Sequence, residues 1–175
     1  VYGNIYSFSN PLWHETGHKT AFQSKLLNEI FYYVSSFMAN FEPTRWRYTH
    51  FVHHGNTYST NDPFDYEIEY GNDLKETPKM LIINIIPFLD LLFLKKHISF
   101  EIIQHALGIK TKVMQDNIPE NAQSKVIFNS RAFVTIWALI IFWSIIVSSW
   151  MPMLYFVLPQ FYGKTLHKLV AFTQH

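Results

Sequence analysis

The stretch AFVTIWALIIFWSIIVSSWMPMLYFVL, residues 132–158, lies inside a run without charged side chains between Arg131 and Lys164. It exceeds the roughly 20 consecutive apolar residues that a membrane-spanning helix requires. Pro152 is expected to kink a helix there, and LPQFYG, residues 158–163, is typical of a turn at the bilayer interface, with a second span starting near Lys164. A buried core helix of a soluble protein is the weaker alternative, because such cores rarely contain so long a charge-free stretch. The sequence therefore predicts an all-α integral membrane protein.

Two other segments are predicted to be helical. Residues 21–41 contain apolar side chains at helical spacing, which predicts an amphipathic helix, buried on one side, with an exposed Lys25–Glu29 pair. The apolar stripe consists of Phe22, Leu26, Ile30, Val34 and Met38. MLIINIIPFLDLLFLKK, residues 80–96, has an apolar run of only about 15 residues, which favours an interfacial or half-inserted helix.

Polar segments and the two ends complete the outline. Residues 56–79 and MQDNIPENAQSK, residues 114–125, are predicted to be loops. The start, VYGNIYSFSNPLW, lacks the features of a signal peptide, and His175 follows an apolar run without a helix stop signal. We therefore expect residues 1–175 to be a partial domain, truncated at both ends.

The composition argues against several classes of function. With 14 basic and 13 acidic residues, the chain has no electrostatic footprint for nucleic acid, and no nucleic-acid partner is expected. The chain has no cysteine, which excludes disulfides, thiolate metal sites and cysteine nucleophiles. Any metal bound here must therefore use nitrogen and oxygen ligands.

The motif HETGH, residues 14–18, is the first histidine cluster. His14 and His18 are one helical turn apart, so both rings can reach one metal from the same helix face. Taken alone, the motif fits a zinc protease in which His14 and His18 bind zinc and Glu15 is the general base.

The motif HFVHH, residues 50–54, is the second cluster and changes this interpretation. His50 and His53 share a helix face and His54 is one turn from His50, so one helix can present three nitrogens to a dinuclear site. A protease zinc does not use five histidines. The scattered histidines are expected to have no metal role; they are His97, His105 and His167.

HETGH followed about thirty residues later by HFVHH resembles the first two histidine boxes of the membrane fatty acid desaturase and hydroxylase superfamily. NDPFDYEIE, residues 61–69, is similar to the segment that follows the second box in bacterial members. AFTQH, ending in His175, matches the place of an additional iron ligand in a membrane helix there. The 175 residues contain no third HxxHH box, which the resemblance places downstream.

The resemblance implies two non-haem iron ions, with O2 as co-substrate. The implied ligands are His14, His18, His50, His53, His54 and His175. Neutral imidazoles stabilise Fe(II) and Fe(III) and leave positions open for oxygen, as hydrogen removal from an unactivated methylene requires. Ligating histidines also need a carboxylate or carbonyl on their other nitrogen. The local carboxylate candidates are Glu15, Asp62, Asp65, Glu67 and Glu69.

Arg45 and Arg47, just before the second box, are candidates for contact with an anionic head group or the acidic face of an electron donor. A solvated interfacial pair is the alternative.

The leading hypothesis is a fatty acyl desaturase that removes hydrogens from a CH2–CH2 unit of an acyl lipid or acyl thioester. The resemblance implies a ferredoxin or cytochrome-type electron donor and an integral membrane location with the boxes facing the cytoplasm. The boxes do not separate a desaturase from a fatty acyl or alkane hydroxylase or a carotenoid oxygenase of the same superfamily. The sequence is also compatible with a membrane zinc protease and with a degenerate, non-catalytic metal- or lipid-binding scaffold. Without the third box, the chain alone is expected to be inactive.

Overall fold

The structure, a computed structural model, describes residues 2–56, Ile82, Ile86 and residues 98–162. These residues form eight α-helices and no strand, which confirms the predicted all-α class for this part of the chain. The helices are α1 (Tyr2–Gly17), α2 (Lys25–Ala39), α3 (Pro43–Asn56), α4 (Ile98–Ala106), α5 (Lys112–Asn117), α6 (Glu120–Ile146), α7 (Met151–Phe156) and α8 (Pro159–Tyr162).

The long helix α6 and the pair α1–α2 organise the packing. α1 packs along α2 and also contacts α8, while α3 and α4 pack against α6. Two hydrogen bonds connect distant elements: the Tyr6 hydroxyl donates to the Phe156 carbonyl at 3.4 Å, and the Trp137 indole donates to Gln160 Oε1 at 3.2 Å. The chain therefore returns from α6 through α7 and α8 towards α1.

Helix α2 is amphipathic, as predicted, but its buried side is the polar one. Its N-terminus is capped by Ser24, whose hydroxyl accepts a hydrogen bond from the Leu27 N–H at 3.3 Å. The buried side consists of Asn28, Tyr32, Ser35, Ser36 and Ala39. Of the predicted apolar stripe, Leu26, Ile30 and Val34 are 68%, 48% and 53% exposed. Apolar side chains on the outside and polar ones inside are typical of helices in contact with lipid.

Helix α6 is the one helix in the described residues that is long and apolar enough to cross a membrane, by length and composition. Its first half contributes buried side chains to the interior, namely Gln123, Val126, Asn129, Ser130 and Phe133. From Ile136 onwards most of its apolar side chains are exposed, and Ser144 is the buried exception. The two halves of α6 therefore face different environments.

The structure corrects the prediction of a kink at Pro152. α6 ends at Ile146, Ser148 adopts a left-handed conformation with φ 47°, and α7 begins at Met151. Pro152 therefore lies in the first turn of a new helix, where its fixed φ is tolerated and no backbone hydrogen bond is lost. The predicted turn at residues 158–163 overlaps α8.

The structure also corrects the loop predicted at residues 114–125, because most of this segment is helical. Thr111 caps α5, its hydroxyl accepting a hydrogen bond from the Met114 N–H at 3.4 Å, and α6 starts directly after Pro119. The polar composition of this segment is typical of a loop, whereas the Thr111 cap favours the start of a helix. The predicted polar loop from residue 57, most of the interfacial helix at 80–96 and the second span near Lys164 lie outside the described residues.

Candidate metal centre

The two histidine boxes lie at the end of α1 and within α3. His14 is in the last turn of α1, and His18 directly follows the helix, its N–H donating to the His14 carbonyl at 3.2 Å. The second box occupies the last two turns of α3 and contributes His50, His53 and His54. α3 is stabilised at its start by Pro43, which suits the first helical position.

Four of the predicted ligands converge. One ring nitrogen from each of His14, His18, His50 and His54 lies within 4.8 Å of every other, and we call this group the four-histidine cluster. The Nε2 atom of His50 is 3.0 Å from both His18 Nε2 and His54 Nε2. Two nitrogens bound to one metal at about 2.1 Å in neighbouring positions lie at about this separation. The donor set therefore fits a metal ion that takes imidazole ligands, which include iron and zinc.

His53 lies beside this cluster and is buried, with 3% of its surface exposed. Its ring centroid is 5.7 Å from that of His50 and 5.8 Å from that of His54. The structure therefore brings together four of the six predicted ligands and places the fifth next to them. His175, the sixth, lies outside the described residues, as do His97 and His167.

The environment favours the neutral form of His18, His50 and His54. Burial, assisted by the neighbouring histidines, lowers the pKa of His50 to about 2. Burial also lowers the pKa of His18 and of His54. Because the neutral imidazole is the form that binds metal, these rings are ready to act as ligands at physiological pH.

Glu15 is the one predicted carboxylate partner among the described residues. Its Oε1 atom is 3.2 Å from His14 Nδ1, and its Oε2 atom accepts a hydrogen bond from the Thr20 hydroxyl at 3.1 Å. The hydrogen bond with His14 lowers the pKa of this carboxyl group. With a carboxylate on Nδ1, a metal ion in the cluster would be bound through Nε2 of His14. The other candidates, Asp62, Asp65, Glu67 and Glu69, lie outside the described residues.

The arginines before the second box have carboxylate partners within the chain. Arg45 is 2% exposed, and its Nε atom lies 3.0 Å from Glu101 Oε2 in α4. Arg47 donates two hydrogen bonds to Glu29 of α2, at 2.7 and 3.0 Å, and its guanidinium lies 4.0 Å from the centroid of the Tyr32 ring. Glu29, expected to pair with Lys25, thus pairs with Arg47. The burial of Arg45 does not support its predicted contact with a head group or donor.

Glu42 holds the start of α3 and is not among the residues predicted from the sequence. Its carboxylate accepts hydrogen bonds from the Thr44 N–H at 3.0 Å and the Arg45 N–H at 2.5 Å, which caps the start of α3. It also accepts one from Asn129 Nδ2 of α6 at 2.7 Å. Burial raises the pKa of Glu42 to about 7. An acidic residue directly before Pro43 was the sequence signal that could have identified it.

Trp46 is a second residue that was missed. Its ring stacks on His50, with centroids 4.1 Å apart and an interplanar angle of 18°. It also packs against Trp13 of α1, at a centroid distance of 4.1 Å. His105, expected to have no metal role, lies apart from the cluster, with its Nε2 atom 2.9 Å from the Thr111 hydroxyl oxygen.

Among protein families, the model described as fatty acid desaturase matches residues 1–175. No curated protein and no solved structure gives a significant match.

Proposed function

Because the chain belongs to the fatty acid desaturase family, a family of oxidoreductases, we propose that it is an O2-dependent di-iron enzyme that desaturates a fatty acyl chain. In this reaction one O2, two electrons and two protons oxidise a CH2–CH2 unit to CH=CH and yield two water molecules. The observation that carries the proposal is the convergence of His14, His18, His50 and His54 from two separate boxes.

Iron bound at this site supplies the redox chemistry with O2 that removes hydrogen from an unactivated chain. The four-histidine cluster, with His53 beside it and His175 as a further ligand, holds two iron ions in this proposal. Glu15 orients His14 through Nδ1, since outer carboxylates fix the ring that binds the metal. The lowered pKa of His50 supports ligation without competition from protons.

The exposed apolar surfaces support the proposed location in the membrane. We place α6 across the bilayer and the exposed apolar side of α2 at the interface, with the four-histidine cluster on the cytoplasmic face. A long acyl chain gains about 0.8 kcal/mol for each buried CH2, so an acyl lipid or acyl thioester can enter the site from the bilayer. A ferredoxin or cytochrome-type donor reaches the cluster from the side of His18 and His54, which are exposed in the structure.

The test is metal content together with product analysis of the full-length protein. We expect about two iron ions per chain and an unsaturated acyl product detected by mass spectrometry. His50→Gln removes the ring at the centre of the cluster and should abolish turnover and lower iron content. His105→Gln is the matched control, because His105 lies in a different polar group, and it should retain iron.

Three outcomes would assign a different function. A hydroxylated product would assign the chain to the hydroxylase branch of the superfamily. A single zinc ion with Glu15-dependent peptide cleavage would overturn the desaturase proposal in favour of a protease. Metal binding without any acyl product in the full-length protein would identify a non-catalytic scaffold.

A further inference from the structure

The backbone of α1 approaches Trp46 closely at Gly17, inside the first histidine box. A Cβ atom added at Gly17 would overlap Cζ3 of Trp46, and it would lie 3.1 Å from Trp46 Cη2 and 3.1 Å from Tyr32 Cε2. Trp46 and Tyr32 are 2% and 0% exposed, so both rings are enclosed by other residues. Protein interiors are close-packed, and an added carbon here requires a shift of the surrounding residues.

The same indole contacts a candidate ligand. Trp46 stacks on the His50 ring, and its centroid lies 5.9 Å from that of His14 and 6.1 Å from that of His18. Gly17 is the residue directly before His18. Trp46 is therefore packed between the end of the first box and the central ligand of the second.

We propose that Gly17 and Trp46 are positioning residues that set the separation of the two histidine boxes. The close approach of Gly17 to the indole allows His18 Nε2 and His50 Nε2 to come within 3.0 Å of each other. A larger residue at Gly17 displaces the indole, and with it the stacked His50 ring. This inference rests on the proposed metal site. It assigns to Gly17 the role of leaving room for the Trp46 ring.

The chain contains a matched control for this substitution. Gly55 is likewise adjacent to a box histidine, His54, but a Cβ atom at Gly55 would meet no atom of the described residues within 4 Å. Gly17→Ala and Gly55→Ala are therefore the same chemical change next to the same site, one in a packed position and one without close neighbours among the described residues. Trp46→Phe removes the outer ring that Gly17 contacts and keeps an aromatic face for His50.

The experiment is an anaerobic titration of the purified full-length protein in detergent with Co2+, whose visible absorption reports its ligand geometry. Wild type and Gly55→Ala should bind with similar affinity and give the same spectrum. Gly17→Ala should weaken binding by about 10- to 100-fold, the range for loss of residues that orient metal ligands. The double variant Gly17→Ala with Trp46→Phe should recover to within about threefold of Trp46→Phe alone, by the logic of a double-mutant cycle.

Each result has a defined meaning. Failure of the wild type to bind Co2+ would overturn the proposed metal site before any variant is compared. If the wild type binds and Gly17→Ala binds equally well, the positioning role is wrong. If Gly17→Ala loses affinity or helical circular dichroism, recovery in the double variant supports the contact with Trp46 as the cause, and lack of recovery overturns it.

Discussion

Helix α3 and the second half of α6 differ in the kind of side chain that they bury. α3 is polar and buries several polar side chains: Arg45, Thr49 and His50 are each less than 5% exposed. The second half of α6 is apolar and leaves Leu139, Phe142 and Ile145 between 59% and 68% exposed. In these two segments, the apolar side chains lie on the outer surface, while the polar side chains of α3 are buried near the four-histidine cluster. This arrangement suits a protein whose surroundings are lipid, where polar groups must be satisfied internally.

The largest expected effect is on the free energy of unfolding, when the same Phe→Ala substitution is made at a buried and at an exposed position of α6. Phe133 is 5% exposed and packs edge-on against Phe37 at a centroid distance of 5.2 Å, whereas Phe142 is 60% exposed. Phe133→Ala should lower the free energy of unfolding by about 3–5 kcal/mol, as expected for a buried phenylalanine. Phe142→Ala should change it by less than about 0.5 kcal/mol. Denaturation in detergent, followed by circular dichroism, measures both, and equal losses would refute the division of α6.

The second prediction concerns the polar interior at Glu42. The pKa of this carboxyl group is raised to about 7 in the folded state, above its usual value of 4.5. Between these pH values the folded protein retains a proton that the unfolded chain has released. The free energy of unfolding should therefore fall as pH rises from about 4.5 to 7, by up to about 3 kcal/mol, and stay constant above that range.

Glu42→Gln provides the comparison for this measurement, because glutamine does not ionise. The charged neighbour Arg45 and the polar neighbour Asn129 of α6 are present in both proteins, so subtracting the two pH profiles isolates the Glu42 titration. Thermal unfolding across pH 4.5–8 would show the difference. Parallel profiles for the two proteins would mean that Glu42 is ionised throughout.

The smallest expected effect is at the boundary between the polar interior and the outer surface. Glu29 of α2 and Arg47 of α3 form a bidentate pair whose side chains are 36% and 25% exposed. Because water screens such a pair, its coupling energy should be about 0.2–1 kcal/mol. A double-mutant cycle with Glu29→Gln and Arg47→Gln measures this term. A coupling above about 2 kcal/mol would show that this pair belongs to the desolvated interior.

Features defined by local spacing could be predicted from the sequence. Box histidines one turn apart and a long charge-free run specify a helix face and a helix length without reference to the rest of the chain. The contacts around the site could not be predicted, because they join distant residues. Glu42 meets Asn129, Arg45 meets Glu101, and Gly17 meets Trp46 only after the helices have packed.

The side of α2 that is buried could not be predicted from its sequence alone. Periodicity locates the apolar stripe containing Leu26, Ile30 and Val34, but the side that is buried depends on the surroundings of the helix. In water such a stripe would be buried, whereas in contact with lipid it would stay outside. In the structure Leu26, Ile30 and Val34 are exposed.

The hydrogen bond between Glu42 and Asn129 attaches α3 to α6, so in the proposed membrane orientation it sets the depth of α3 in the bilayer. Asn129 lies 17 residues before Ile146, or about 26 Å along the axis of α6. With α6 across a hydrocarbon core of about 30 Å, this bond lies near one edge of the core, and α3 is attached at that level. In the proposed desaturase, helix α6 sets the depth of the four-histidine cluster in the bilayer, and that depth selects the acyl carbon that lies next to the metals. Under the proposed function, insertion or deletion of residues between Asn129 and Ile146 would shift the position of the double bond in the acyl product.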